Sequence, residues 1–135
     1  MSSPPFEEIE HTADWAIRVR GETLNELFEN AANGMFSLLS PFSITREAKA
    51  TQLHLSAVDI ETLLVSWLEE LLFRLETEHK GADSFKIEII DTTLKANFKS
   101  MPVRSFKKVI KAVTYNELEI ANDDEGFHTT IVFDV

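Results

Sequence analysis

From Trp15 to Arg20 the chain alternates. Trp15, Ile17 and Val19 fall on one side and Ala16, Arg18 and Arg20 on the other, the period of a strand with one buried face, and Gly21 ends the run. The period then changes. Leu24, Leu27, Phe28, Ala31, Met35, Leu38 and Leu39 recur at steps of three and four, which predicts an amphipathic helix. Thr23 and Glu26 have the spacing of a capping box at its start, and Pro41 follows its end. A second strand is predicted over "ATQLHLSAV", with Leu53 and Leu55 opposite Gln52, His54 and Ser56. Asp59 is the expected N-cap of a second helix. Its apolar positions Ile60, Leu63, Leu64, Trp67, Leu68, Leu71, Leu72 and Leu75 persist to a stop near "HKG". With Val65 and Phe73 added, this helix is apolar round more than half its circumference and is expected to be central.

The rest of the chain is strand-rich. Phe85, Ile87 and Ile89, then Leu94, Ala96 and Phe98, flank a turn near "DTT" in a hairpin pattern. In "KKVIKAVTYNELEI", Val109, Lys111, Val113 and Tyr115 are out of phase with Ile110, Ala112 and Thr114, and "FHTTIVFDV" reads as a closing strand. "ANDDEG" between them carries the Asn, Asp and Gly of a hairpin loop. These elements predict an α+β fold: one layered domain over residues 1–135, two main helices packed on largely antiparallel sheet, with residues 1–5 expected to be disordered.

Composition narrows the chemistry. With 135 residues, 44% of them hydrophobic and ten of them Phe, the chain has the make-up of one self-folding domain. It contains no cysteine, so disulfides, thiolate metal sites and cysteine nucleophiles are excluded, and any metal must be held by oxygen or imidazole. Neither a signal-like N-terminus nor a run long enough to span a membrane is visible, and a cytoplasmic protein with no membrane partner is expected. The net charge of −10 repels polyanions at long range. One segment runs against it: Lys95, Lys99, Arg104, Lys107, Lys108 and Lys111 follow one another with no acid between them. Such a run is most often the solvated face of a hairpin, and lysines also discourage edge-to-edge strand pairing.

The four glycines are scattered, and the chain has no phosphate loop, paired-histidine helix or nucleophile elbow. What remains is carboxylate chemistry. Asp134 and the α-carboxylate of Val135 are adjacent hard oxygen donors, and Asp14 joins them if the final strand ends beside the first. Three such groups repel one another unless a cation sits among them. A turn aspartate and a frayed C-terminus are the alternative reading. His11 reads as a surface or packing residue, and His54, His79 and His128 have no partners at ligand spacing. Lys111 stands in "VIKAVTY", a run otherwise suited to burial, so it is expected to snorkel or to find a partner.

"EHTADWAIRVRG", "TLNELFENAANGMFSLL", "LLVSWLEELLF" and "IKAVTYNELEI" with a terminal "VFDV" occur in the order and at about the spacing of the archease family, which the chain resembles over nearly its whole length. The resemblance implies a small acidic α+β protein that is not itself an enzyme. It further implies an activator of the GTP-dependent RNA-splicing ligase, which joins RNA 2′,3′-cyclic phosphate or 3′-phosphate ends to 5′-hydroxyl ends in tRNA splicing and RNA repair. Such an activator promotes guanylylation and multiple turnover of the ligase and meets tRNA or RNA only indirectly. By the same resemblance, Asp14, Asp134 and the Val135 carboxylate form a divalent-cation site, Ca²⁺ by analogy with Mg²⁺ or Mn²⁺ as alternatives, and His11 and Lys111 are partner-binding residues. Two positions depart from the family pattern: Asn116 stands where KAVTYH is usual, and "KSMPVRSFKK" lacks a histidine that some relatives carry. Alternative functions are a stand-alone metal-dependent enzyme using Asp14 and Asp134, or an RNA-binding module using residues 95–111.

Overall fold

The computed structural model describes the chain except for residues 1–3, 11–14, 44–47, 107–108 and 116–117 and the side chains at 10, 42, 43 and 106. Two antiparallel sheets and two helices share one hydrophobic core. In chain order the elements are β1 (Phe6–Glu10), β2 (Trp15–Gly21), α1 (Leu24–Leu39), β3 (Pro41–Ser43), β4 (Lys49–Ser56), α2 (Ile60–Glu78), β5 (Lys80–Ile90), β6 (Thr93–Phe106), β7 (Ala112–Val113), β8 (Ala121–Asp123) and β9 (Gly126–Asp134). The first sheet runs β1-β2-β9-β7, with β8 also paired to β9. In the second, β6 pairs antiparallel with β3, β4 and β5, with β4 and β5 along the same stretch on opposite sides of it. α1 packs on β1, β2 and β9 of the first sheet and on β5 of the second, while α2 packs on α1, β4, β5, β6 and β7. The α+β expectation, with two helices on antiparallel sheet, matches this architecture.

Both helices begin where their capping residues predict. Thr23 is extended and its hydroxyl accepts the Glu26 N–H at 3.1 Å. The return bond differs from the standard box: Glu26 Oε1 reaches the N–H of Glu22, one residue before the cap, at 3.5 Å. At α2, Asp59 accepts the Thr62 N–H at 2.7 Å. Both helices stop on a left-handed residue, Ser40 at φ 47° and His79 at φ 55°. Gly126, at φ 119°, holds the β8–β9 turn against Gly21: a Cβ there would lie 2.5 Å from the Gly21 carbonyl oxygen.

Trp67 ties the layers together. Fully buried, it donates its indole N–H to the Phe28 carbonyl at 3.1 Å, joining α2 to α1, and its ring meets Phe85 and Phe98 edge-on from the second sheet. Phe73, expected to extend the apolar side of α2, is 56% exposed. It lies two residues from both Leu71 and Leu75, about 200° round the helix from each, and so faces solvent. Ala16, read on the polar side of its strand, is buried opposite its register partner Val132. Three short strands, β1, β3 and β8, are additional to the predicted set. The segment 1–5, expected to be disordered, lies outside the described residues at 1–3, whereas the Pro5 carbonyl accepts the Arg20 N–H at 2.9 Å.

β6 is longer than the hairpin pattern suggests and contains Pro102. The Val103 N–H points to the β5 side, where it donates to the His79 carbonyl at 2.8 Å. Alternation therefore turns position 102 to the β4 side, where the pairing stops at Lys49 opposite Ser100, so no β4 ladder bond is lost to the proline.

The Asp59 cap has a pH signature. Hydrogen bonds from the Thr62 side chain and backbone hold the Asp59 carboxyl below its ordinary value. A depressed folded-state pKa means that this contribution is complete above the ordinary carboxylate range and is lost as pH falls through the lower folded value. Asp59→Asn keeps an acceptor at the cap and is expected to flatten that part of the acid limb in a urea-unfolding series below about pH 4; an acid limb identical to that of the parent chain would contradict the assignment.

Candidate functional site at the end of the first sheet

Of the candidate residues, Lys111, Asp134 and Val135 meet at the end of β9. In the antiparallel pairing with β2, Phe133 faces Trp15, so β9 runs out beside the entrance of β2. On its other side β9 pairs with β7, Ala112 to Asp134 and Val113 to Phe133. Two backbone bonds extend this ladder. The Lys111 N–H donates to the Asp134 carbonyl at 2.7 Å, and the Thr114 N–H donates to the Val132 carbonyl at 2.9 Å. Lys111 and Asp134 are thus direct neighbours although 22 residues separate them in the sequence.

Burial divides this strand end into an anchor and a rim. Phe133, Ile110 and Val113 are buried and Val135 packs against the core, so the two residues at the end of β9 are held rather than frayed. The Asp134 side chain is exposed. Lys111 is also exposed, which corrects the expectation of a lysine within a buried run. The reason is that only Ala112 and Val113 form ladder pairs with β9, and the remainder of "VIKAVTY" does not alternate as a strand. Val109 and Tyr115 accordingly stand 60% and 58% exposed on either side of Lys111.

β7 is fixed from beneath by α2. Its outward Val113 N–H donates to Glu69 Oε1 at 3.3 Å, and further along the Ile120 N–H donates to Glu61 Oε2 at 3.1 Å. These acceptors keep polar backbone satisfied where no further strand pairs. Sequence pattern gave no hint of either role, since both glutamates read as ordinary polar positions of an amphipathic helix.

His11 and Asp14 lie outside the described residues, as does Asn116. Asp134 and the Val135 α-carboxylate provide adjacent oxygen donors whose chemistry fits a hard divalent cation. Among the described residues, no three His, Asp or Glu side chains gather into a metal-holding group. The basic segment does not form one surface. Lys95 and Lys99 stand on β6 directly opposite Glu88 and Asp83 of β5, whereas Lys111 belongs to the strand end of the other sheet, and Lys107 and Lys108 lie outside the described residues. Among the described residues, no helix is long and apolar enough to cross a membrane.

Fold and site together define a small α+β protein with two helices between antiparallel sheets and a KAVTY segment bonded to its C-terminal strand. The chain belongs to the archease family: the model of the Archease protein family matches residues 6–135. It is 34% identical to the archease of Methanosarcina barkeri, over 96% of this chain and 95% of that one. The archease of Saccharolobus solfataricus is also 34% identical, over 96% and 98%. Among solved structures, the solution structure of Methanobacterium thermoautotrophicum protein 1598 superposes with a TM-score of 0.75 at 30% identity, covering 97% of this chain and 99% of that one. The crystal structure of a Thermotoga maritima archease, described as a possible chaperone, shares the fold with a TM-score of 0.72 at 24% identity, covering 100% and 98%.

The support from α2 yields a prediction. Glu69→Leu removes the acceptor of the Val113 N–H and is expected to speed hydrogen exchange at Val113 and Lys111 by about fivefold, corresponding to a local loss near 1 kcal/mol, while the Trp67 region keeps its protection. Glu69→Gln retains an acceptor and is expected to restore most of that protection. Equal exchange in all three proteins would show that β7 does not depend on this bond.

Proposed function

We propose that this protein is a non-catalytic accessory factor that activates a GTP-dependent RNA-splicing ligase, promoting its guanylylation and multiple turnover in tRNA splicing and RNA repair. The observation that carries the reading is the 2.7 Å bond from the Lys111 N–H to the Asp134 carbonyl, which makes the lysine of KAVTY a neighbour of the terminal carboxylates. Membership of the archease family supports an accessory role, as does the description of the Thermotoga maritima relative as a possible chaperone.

In this reading Asp14, Asp134 and the Val135 α-carboxylate hold a divalent cation, Ca²⁺ by family analogy with Mg²⁺ or Mn²⁺ as alternatives. Bound there, the cation supplies positive charge that offsets the repulsion among the carboxylates and helps neutralise nucleotide phosphates at the ligase. The chain's own contributions are positional. Pairing of Trp15 with Phe133 brings the segment that follows Asp14 alongside the last residues of β9. The exposed Lys111 ammonium presents a second positive charge to phosphate or to an acidic group of the ligase, and His11 is a second partner-binding residue by family analogy. Val109 and Tyr115 give the surface an apolar rim able to bury against the ligase around the charged centre. Fixing Lys111 by its backbone leaves the side chain free to reach the partner while its origin stays put.

Asp14→Ala and Asp134→Ala are each expected to preserve the far-ultraviolet circular dichroism spectrum and to lower ligase guanylylation to the level of the ligase alone. Full stimulation by both variants would overturn the proposal, and turnover of cyclic-phosphate RNA by the purified protein without ligase would replace it with a stand-alone enzyme. One residue added after Val135 is expected to weaken calorimetric cation affinity, because it displaces the terminal carboxylate.

A further inference from the structure

On the second sheet, Lys49, Thr51, Arg74, Lys80, Ser100 and Pro102 line a cavity of about 400 Å³. Its charged lining residues are all cations, in a chain where acids outnumber bases 23 to 13. They come from three elements. Lys49 of β4 faces Ser100 of β6, and Lys80 of β5 faces Pro102 of β6, so the two lysines flank β6 from opposite sides. Neighbouring strands lie about 4.8 Å apart, which puts the lysine backbones roughly 10 Å from each other across the sheet, a span that two such long side chains close over a small ion. Arg74 enters from α2, half-buried, with its guanidinium over the Phe98 ring and its Nε bonded to Glu70 at 3.3 Å. It is therefore held in place before any ligand arrives, which lowers the ordering cost of binding. The nearly buried Ser100 belongs to the same lining with its hydroxyl, and Thr51 lies beside it with its hydroxyl donated to the Lys49 carbonyl at 3.2 Å.

The charge balance selects the ligand. Glu70 offsets one of the three cations, leaving two positive charges and the Ser100 hydroxyl in the lining of one small volume. Basic residues near the C-terminal end of a helix commonly answer its dipole, which accounts for Arg74 and Lys80. That account does not reach Lys49, which comes from β4, or the Ser100 hydroxyl. We propose that this cavity binds a phosphate dianion, either free phosphate or the terminal phosphate of a small phosphorylated molecule such as a mononucleotide. The volume lies within the range of small-molecule sites. Extended RNA calls for cations and aromatic platforms spread along a track, and here the cations converge on one point.

The test is a nuclear magnetic resonance titration of the full chain at constant ionic strength, first with inorganic phosphate and then with GMP, following backbone amides. Saturable shifts centred on Thr51 and Ser100 are expected in the parent chain, with an affinity at least about tenfold weaker in the double variant Lys49→Gln, Lys80→Gln. Saturation by inorganic phosphate as readily as by GMP identifies free phosphate as the ligand, and tighter saturation by GMP identifies the nucleotide. Both lysines are exposed, so the variant keeps the fold, which its otherwise unchanged amide spectrum verifies. The proposal fails if neither titrant gives saturable shifts, if the double variant binds as tightly as the parent, or if single-stranded RNA moves these amides when phosphate and GMP do not. No ligase is present in the experiment, so its outcome is separate from that of the activator reading.

Discussion

The architecture depends on helix side chains that finish the hydrogen bonding of strand edges. β5 has α1, not another strand, along its outer side. There the Ile87 N–H donates to Glu29 Oε2 at 2.9 Å and the Ile89 N–H donates to Asn25 Oδ1 at 2.8 Å. α2 does the same for the other sheet, with Glu69 accepting from Val113 and Glu61 from Ile120. An unpaired strand edge invites association with another chain, and an unsatisfied buried N–H costs about 1–3 kcal/mol. Each helix removes both liabilities with polar residues beside its apolar face. The same bonds fix how the helices lie across the sheets, because a one-residue slip of a bonded segment would turn these N–H groups away from their acceptors.

This arrangement explains what the amino-acid pattern revealed and what it hid. α1, α2, β2, β4 and the body of the β5–β6 hairpin were legible because each buries one regular face: Ile17 and Val19, Leu53 and Leu55, and Ile87 against Ala96 keep the period of their element. Thr23 and Asp59 announced the helix starts for the same local reason. β1 was hidden by its composition, since Phe6 and Ile9 are separated by two glutamates and do not alternate. The first part of β5 was hidden by a register shift between Asp83 and Lys86, with Ser84 at φ 57°, which breaks the alternation before Phe85. "VIKAVTY" misled in the opposite sense. It alternates in sequence, but its burial is set by two ladder pairs and by α2, so Ile110 and Val113 are buried three residues apart.

The candidate site was legible as a set of residue types and as a family pattern, and less so as geometry. That Asp134 and Lys111 adjoin follows from the β7–β9 pairing, which nothing local to either segment encodes. The strand-order question raised by Asp14 is answered at Trp15, the first described residue after it, which faces Phe133. The carboxylates of α2 that hold the KAVTY backbone were invisible, because a glutamate that accepts a backbone bond and one that faces water have the same letter and the same helical position. The exposed apolar residues Val109 and Tyr115 are legible only once the ladder is known to be two pairs long.

The position of β9 also governs when the first sheet can assemble. Last among the described strands, it lies between β2 on one side and β7 and β8 on the other, and Trp15 waits for Phe133. During synthesis from the N-terminus, β1 and β2 can form only an open hairpin, with the inner edge of β2 unpaired while the remainder of the chain is made. Closing that sheet is a long-range step of the kind that slows folding. α1 can shelter Ile17 and Val19 in the interval, but only the arrival of β9 joins Lys111, Trp15 and Asp134 into one strand end. The strand end that carries Lys111 and Asp134 is therefore a late product of folding, completed after the core helices can form.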